Sequence, residues 1–177
     1  MPDTIIDELF KKNKETIDYL DEKKELTFFV QAKDNFSKIL VLSIGSYFEF
    51  TISDMILEFA KNKSSNDLIC HFIKNKAVSR QYHTYFDWNQ RSEKKNANRF
   101  YSLFGQDFKT KCEQKVNADK DLEKSVAAFI ELGVERNKLI HTNLAASAID
   151  KTLEEYYELY KQASKFLHFV KSQLNEK

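Results

Sequence analysis

Three side chains close together in the sequence have the types needed for acid–base chemistry on a phosphate ester. Arg136, Asn137 and His141 end an otherwise apolar stretch. An imidazole titrates near neutral pH, so His141 suits proton transfer. A guanidinium binds two oxygens of a phosphate in a planar fork, so Arg136 suits phosphate binding. Asn137 is placed to orient the imidazole or to hold a phosphate oxygen.

The spacing of these residues sets a geometric problem if the stretch is a helix. Asn137 and His141 are four residues apart, so they share a face and lie within hydrogen-bonding reach. Arg136 and His141 are five apart, which is about 140° around the axis. One straight helix therefore does not aim both side chains at one atom. Either the helix breaks near His141, or two copies of the segment share one site across a two-fold axis.

Glu49 is a further candidate for the site, in a supporting role. It lies toward the apolar side of a helix predicted over about residues 34–61, where apolar residues recur at helical spacing. A half-buried carboxylate needs a partner, because unpaired burial is costly. Arg136 or a backbone donor is the natural candidate. The alternative is that Glu49 reaches solvent at the margin of the apolar stripe.

Helices are the elements that must position these side chains. One Pro and three Gly in 177 residues are too few for the many turns of a sheet-rich fold. Apolar residues, 42% of the chain, recur at helical spacing over residues 5–20, 34–61, 122–140 and 153–174. We therefore predict one all-α domain over residues 1–177, a compact bundle of about four long helices with short accessory helices.

Capping residues indicate where several helices begin or end. Ser64, Ser65 and Asn66 are candidate caps for a short helix, and Gly105 is a candidate C-cap for a short helix from residue 98. Residues 117–120 form a polar hinge, and residues 152–155 give a capping box before the last helix. Residues 5–30 form either one long helix or two short ones.

Charge and composition exclude several classes of function. The 28 basic and 27 acidic residues leave a net charge of +1, so an RNA site must be a local cluster. Cys70 and Cys112 form no metal-spaced set, and two cysteines suit a reducing cytosol. The sequence has no Gly-rich phosphate loop and no Ser-centred nucleophile elbow. Residues 1–9 contain no signal peptide or membrane span. We predict a cytoplasmic protein with no cofactor, metal or membrane partner.

Residues 77–96 combine aromatic and basic side chains, as single-stranded RNA sites do. The candidate RNA-binding residues are His83, Tyr85, Trp88 and Arg91 in this segment, and Lys138. The alternative is an aromatic plug docked on the helices beneath a solvated loop.

Gly133 costs about 1 kcal/mol of helix propensity against Ala. A close helix contact at Gly133, made by a second subunit, would explain that cost.

The order Arg136-Asn137-x3-His141, near the end of a helix in a small helical chain, resembles the signature of the HEPN superfamily. Residues 82–88 (YHTYFDW), 100–105 (FYSLFG) and 132–141 (LGVERNKLIH) are similar to the HEPN branch associated with the RiboL-PSP group. The resemblance covers nearly the whole chain.

The resemblance implies a metal-independent endoribonuclease that cuts single-stranded RNA through its 2′-hydroxyl, with Arg136, Asn137 and His141 as catalytic residues. It implies a homodimer with a shared active site, acting as a toxin or effector in bacterial toxin–antitoxin or anti-phage defence. A cognate antitoxin or defence-system protein would then be a partner. Many HEPN domains are non-catalytic, so the alternative is a module that binds RNA or a partner protein.

One position departs from part of that superfamily. HEPN toxins paired with small nucleotidyltransferase antitoxins carry a Tyr two residues after the His, and that Tyr is adenylylated. Here the position is Asn143, which puts regulation by that route in doubt.

Overall fold

The computed structural model describes residues 3–64, 66–88 and 95–176. This part of the chain is mostly helical and contains no strand. The helices are α1 (Ile5–Glu22), α2 (Leu26–Lys63), α3 (Asp67–Ile73), α4 (Tyr82–Tyr85), α5 (Asn98–Ser102), α6 (Gln106–Ala118), α7 (Lys120–His141) and α8 (Leu153–Asn175). A π-helical turn, Lys74–Val78, continues α3. α1, α2, α7 and α8 are the long helices, and the predicted all-α bundle is confirmed.

Side-chain caps fix several of the predicted boundaries. Thr152 and Glu155 form the expected capping box at the start of α8. Asn66 caps α3, and Asp119 accepts hydrogen bonds from the first backbone N–H groups of α7. Gly105 differs from the prediction, because it is the N-cap of α6 rather than a C-cap. Its φ of 99° lies in the left-handed region that glycine adopts without strain.

The first two helices are separate, and the second begins earlier than residue 34. α1 ends at Glu22, and α2 runs without interruption from Leu26 to Lys63. Between them Lys24 has a φ of 60°, which turns the chain. Periodicity missed the true start of α2 because its apolar residues do not keep to one face: Phe28 and Val30 are exposed near its beginning.

α2 is the central helix of the bundle and packs against α1, α7 and α8. By length and composition alone, it is the one helix among the described residues that could cross a membrane. Nearly half of its most apolar segment, 44%, is buried inside the protein. That share fits its position in the core.

Aromatic side chains fix α7 against its neighbours. The ring of Phe129 on α7 lies 5.1 Å from Phe48 on α2 and 4.7 Å from Phe166 on α8. It also lies 4.9 Å from Phe86, directly after α4. All four side chains are fully buried. Interlocked buried rings leave little freedom for sliding, so they set the position of the last turns of α7 relative to α2.

Candidate functional site

The side chains predicted to carry chemistry lie where the C-terminal half of α7 crosses the middle of α2. Arg136, Asn137 and His141 are on α7, and Glu49 is on α2. The crossing therefore brings together residues that are 87 positions apart in the sequence.

Arg136 is held by two oxygens. Its Nη2 donates to Glu49 Oε2 at 3.1 Å, and its Nη1 donates to Asn137 Oδ1 at 3.1 Å. The Arg136 side chain is 23% exposed and that of Glu49 is 41% exposed. Both alternatives predicted for Glu49 are therefore present together: it pairs with Arg136 and it also reaches solvent.

Gly45 provides the space for the Arg136 side chain. A Cβ atom built on Gly45 would lie 2.5 Å from Arg136 Cγ and 3.1 Å from its Cβ. These atoms belong to the root of the side chain, which moves less freely than its tip. Sequence reasoning did not assign Gly45 a role, although a Gly inside a long apolar helix is a usable signal of close approach.

Tyr82 is a buried side chain that feels the charges of both Glu49 and Arg136, and this role was not predicted. Its side chain is 5% exposed. Burial raises the pKa of Tyr82 far above its ordinary value; the Glu49 carboxylate raises it further, and Arg136 lowers it. The phenol thus stays neutral and lies close enough to the pair to respond to both charges. Nothing in the sequence indicated that the residue would lie here.

His141 is the last residue of α7 and is exposed. Its side chain makes no hydrogen bond or ion pair with any other described residue, and the Oδ1 of Asn137 accepts from Arg136 rather than from His141. α7 continues through His141 without a break. Arg136 and His141 therefore keep the separation of about 140° that one helix imposes.

Lys138 lies between two acidic groups. Its Nζ is 3.9 Å from Glu135 Oε2 and 3.9 Å from Asp150 Oδ2. The lysine side chain is 42% exposed, so a phosphate can reach it. The neighbouring carboxylates weaken its attraction for an anion. Its predicted RNA contact stays a prediction.

The aromatic segment supports the docked-plug alternative rather than a stacking surface. Tyr85 is 4% exposed and its hydroxyl donates to the Ala77 carbonyl. The Trp88 indole N–H donates to the His83 carbonyl at 3.1 Å. A Tyr85 side chain that is 4% exposed offers little free face to a base. This burial disfavours its predicted RNA contact, which stays a prediction. Of the other candidates, His83 is exposed, and Arg91 lies outside the described residues.

Trp88 also corrects the interpretation of Gly133. A Cβ built on Gly133 would lie 1.9 Å from Trp88 Cζ3 and 2.5 Å from its Cε3. The indole ring therefore occupies the space that Gly133 leaves open. The close contact is made by the same chain and not by a second subunit. Trp88 is half-buried and packs against Gly133, which favours the docked plug. Its predicted RNA contact stays a prediction.

A second ionic group anchors the segment between α7 and α8. Glu131 Oε1 lies 2.8 Å from Lys151 Nζ, and Glu131 Oε2 accepts from Lys95 Nζ at 3.2 Å. Burial raises the pKa of Glu131, but the hydrogen bonds from Lys151 and Lys95 outweigh burial, so the pKa lies below its ordinary value of 4.5. The ion pair of Glu131 with Lys151 holds the residues just before α8 against α7. Glu131 lies five residues before Arg136 in the sequence.

Comparison with known proteins gives one family. A family model described as RiboL-PSP-HEPN matches residues 7–176. No curated protein and no solved structure gives a significant match. In the described part of the chain, no group of three or more His, Cys, Asp or Glu side chains could hold a metal ion.

Proposed function

Because the chain belongs to the RiboL-PSP-HEPN family, we propose that it is a metal-independent endoribonuclease that cuts single-stranded RNA. The observation that supports this most directly is the oriented Arg136, held by Glu49 and Asn137, with an exposed His141 at the end of the same helix. We further propose that it acts in the cytoplasm as a toxin or effector in bacterial toxin–antitoxin or anti-phage defence.

RNA carries its own nucleophile, so the protein has to supply proton transfer and charge stabilisation. The 2′-hydroxyl attacks the adjacent phosphorus, its proton goes to a base, and the departing 5′-oxygen takes up a proton from an acid. The products are a 2′,3′-cyclic phosphate and a 5′-hydroxyl. His141 is the group for proton transfer. Arg136 stabilises the charge on the phosphorane through its remaining N–H groups.

We propose that two copies of the chain share one active site in a homodimer. Such a site would supply two imidazoles and would bring Arg136 and His141 together, neither of which a single α7 does. One chain supplies a single His141, whereas an acid and a base are easiest to provide with two imidazoles. The separation of about 140° also keeps Arg136 and His141 of one helix from converging. A two-fold axis beside the end of α7 would place two copies of each around one cleft.

Cleavage assays on purified protein test the enzymatic proposal. Wild type should cut a single-stranded RNA in the presence of EDTA and leave a cyclic phosphate. Arg136→Ala and His141→Ala should each abolish cleavage. His168→Ala is the matched control, because His168 is an exposed histidine on α8. Equal trace activity in wild type and His141→Ala would end the enzyme proposal.

The shared site has its own test. Arg136→Ala and His141→Ala chains, each inactive alone, should regain partial activity when mixed, since each heterodimer keeps one Arg136 and one His141. Light scattering should show a dimer. A monomer with full cleavage activity would contradict the shared site while leaving the nuclease proposal intact.

The second candidate function is a non-catalytic module that binds RNA or a partner protein. One observation favours it: two N–H groups of Arg136 are already engaged by protein oxygens. This candidate predicts RNA or protein binding that survives His141→Ala, with no cleavage at any protein concentration. A filter-binding assay run beside the cleavage assay separates the two candidates.

A further inference from the structure

An apolar groove of about 530 Å³ lies beside the C-terminal turns of α2. Its other walls come from the last residue of α3 and its π-helical turn, from α4, and from the turn after α5. Apolar side chains line its centre, among them Ile56, Phe59, Ile73, Leu103 and Phe104. Lys63, on the rim, is fourteen residues beyond Glu49 on α2, roughly 21 Å at 1.5 Å per residue. None of Glu49, Arg136, Asn137 and His141 lines the groove, so it is distinct from the candidate active site.

The helix that forms one wall of this groove carries exposed apolar residues of its own. Leu68 on α3 is 79% exposed, and Phe72 is 66% exposed. Ile69 is 48% exposed, and Leu103, across the groove on the turn after α5, is 55% exposed. α3 is nevertheless well formed, because Asn66 accepts from the backbone N–H groups of Leu68 and Ile69. Several large apolar side chains held together in solvent are typical of a binding surface.

The same region is strongly basic although the chain as a whole is nearly neutral. Residues 61–80 contain five cations and one acid, Asp67, a local excess of four positive charges (five minus one). Lys63 and Lys76 line the groove itself. The cations are Lys61, Lys63, Lys74, Lys76 and Arg80, and none of them forms an ion pair within the described part of the chain.

We propose that this surface, the α3 surface, binds an acidic amphipathic segment of a partner protein. The surface comprises the groove, the exposed side chains of α3 and the cations from Lys61 to Arg80. Apolar residues of the partner fill the groove, and its carboxylates meet Lys63 and Lys76. Complementary charge at the rim of an apolar groove speeds association and rejects partners of the wrong charge.

The composition of the α3 surface disfavours other occupants. RNA binding depends on several aromatic faces that stack on successive bases, whereas the α3 surface exposes one ring strongly, that of Phe72, beside the aliphatic Leu68, Ile69 and Leu103. A second copy of this chain, docked across a two-fold axis, would oppose cations to cations. A concave groove suits a chain segment better than the plane of a bilayer.

Binding of a designed peptide tests this proposal on the full chain. The probe is a fluorescent helical peptide of about 15 residues, with leucines on one face and glutamates on the other. Its twin carries lysines in place of the glutamates. The glutamate peptide should bind saturably and the lysine twin should not. Binding should weaken by about tenfold or more in Phe72→Ser and in the double variant Lys63→Glu, Lys76→Glu.

Matched variants on a distant surface control for non-specific effects. Phe28→Ser removes a comparably exposed ring near the start of α2, and Lys12→Glu reverses an exposed charge on α1. Both should bind the glutamate peptide like wild type, and circular dichroism should show every variant folded. Because the α3 surface is separate from Arg136, RNA cleavage should be unchanged in all of them, so failure of this proposal is distinguishable from failure of the nuclease proposal.

Three results would overturn the proposal. The first is absence of saturable binding of the glutamate peptide, and the second is equal binding of the lysine twin. The third is binding of oligouridine RNA or of phosphatidylserine vesicles that Phe72→Ser and the double charge reversal abolish, while the peptide binds all variants alike. That last result would assign the α3 surface to RNA or to a membrane instead.

Discussion

Replacing Gly45 with Ala tests whether α2 seats the Arg136 side chain. The added Cβ would lie 2.5 Å from Arg136 Cγ, whereas non-bonded carbon atoms prefer about 3.5–4.0 Å. A shift of about 1 Å is therefore required, either of the Arg136 side chain or of the spacing between α2 and α7. Both movements pull the guanidinium away from Glu49.

Two opposing terms set the change in stability. Overpacking of this kind costs about 1–3 kcal/mol. Ala in place of a mid-helix Gly returns about 1 kcal/mol through helix propensity. Gly45→Ala should therefore lower the free energy of unfolding by between about 0 and 2 kcal/mol. Displacing a catalytic group by about 1 Å can cost about a hundredfold in rate, so RNA cleavage should fall by far more than stability does.

A double-mutant cycle with Arg136→Ala isolates the contact. Arg136→Ala removes Cγ and Cδ, which lie 2.5 and 3.3 Å from the Cβ added at position 45. It leaves the Cβ of residue 136, which lies 3.1 Å from that added atom. In that background Gly45→Ala should be about 1 kcal/mol less costly than in wild type. Denaturant unfolding gives the four free energies, and Ser46→Ala, an exposed neighbour on α2, is the control.

Two outcomes would refute this reasoning. One is a Gly45→Ala protein that is more stable by the full propensity gain and cleaves RNA at the wild-type rate. The other is an equal cost of Gly45→Ala in both backgrounds, which would place the strain somewhere other than at Arg136.

Three further predictions concern neighbouring residues. Gly133→Ala should expel the indole of Trp88, the only tryptophan in the sequence, so intrinsic fluorescence should shift to the red; an unshifted spectrum would contradict the packing. Glu49→Gln should lower the free energy of unfolding by only about 0.2–1 kcal/mol, because solvent screens a half-exposed pair; a loss of several kcal/mol in a denaturant titration would show a buried pair. The folded-state pKa of Glu131 is below its ordinary 4.5, so its stabilisation is present above that value and lost as pH falls through the folded pKa. Glu131→Gln should therefore lower Tm near neutral pH, and this loss should shrink as the pH is lowered below 4.5; a loss of Tm that does not change with pH would contradict the pairing.

The sequence predicted best what depends on local or pairwise chemistry. The capping box of Thr152 and Glu155 involves only four consecutive residues, and it is present in the structure. The contact between Glu49 and Arg136 across 87 positions was one of the alternatives that the sequence left open, because a half-buried carboxylate needs a partner. Both inferences could be drawn from the chemistry of the side chains, without knowing where those side chains lie in space.

What the sequence left open was the identity of neighbours. A Gly in the middle of a helix indicates close approach but does not say by what. At Gly133 the approaching group is Trp88 from the same chain, not the second subunit that the sequence analysis invoked. At Gly45 it is Arg136 itself. Tyr82 carried no signal at all, because a tyrosine beside other aromatics is compatible with core, surface or site.

The ion pair of Arg136 with Glu49 is compatible with either proposed function, and its exposure explains why. A fully buried pair would hold the guanidinium too strongly for a phosphate to compete. Here Glu49 is 41% exposed, so releasing it costs little. The two non-bridging oxygens of a phosphate diester match the two parallel N–H groups of a guanidinium. The hydrogen bond from Nη1 to Asn137 Oδ1 does not involve Glu49, so it does not have to break when Glu49 is released. Under the proposed function, Glu49 therefore orients Arg136 before RNA binds and is released when a phosphate takes its place.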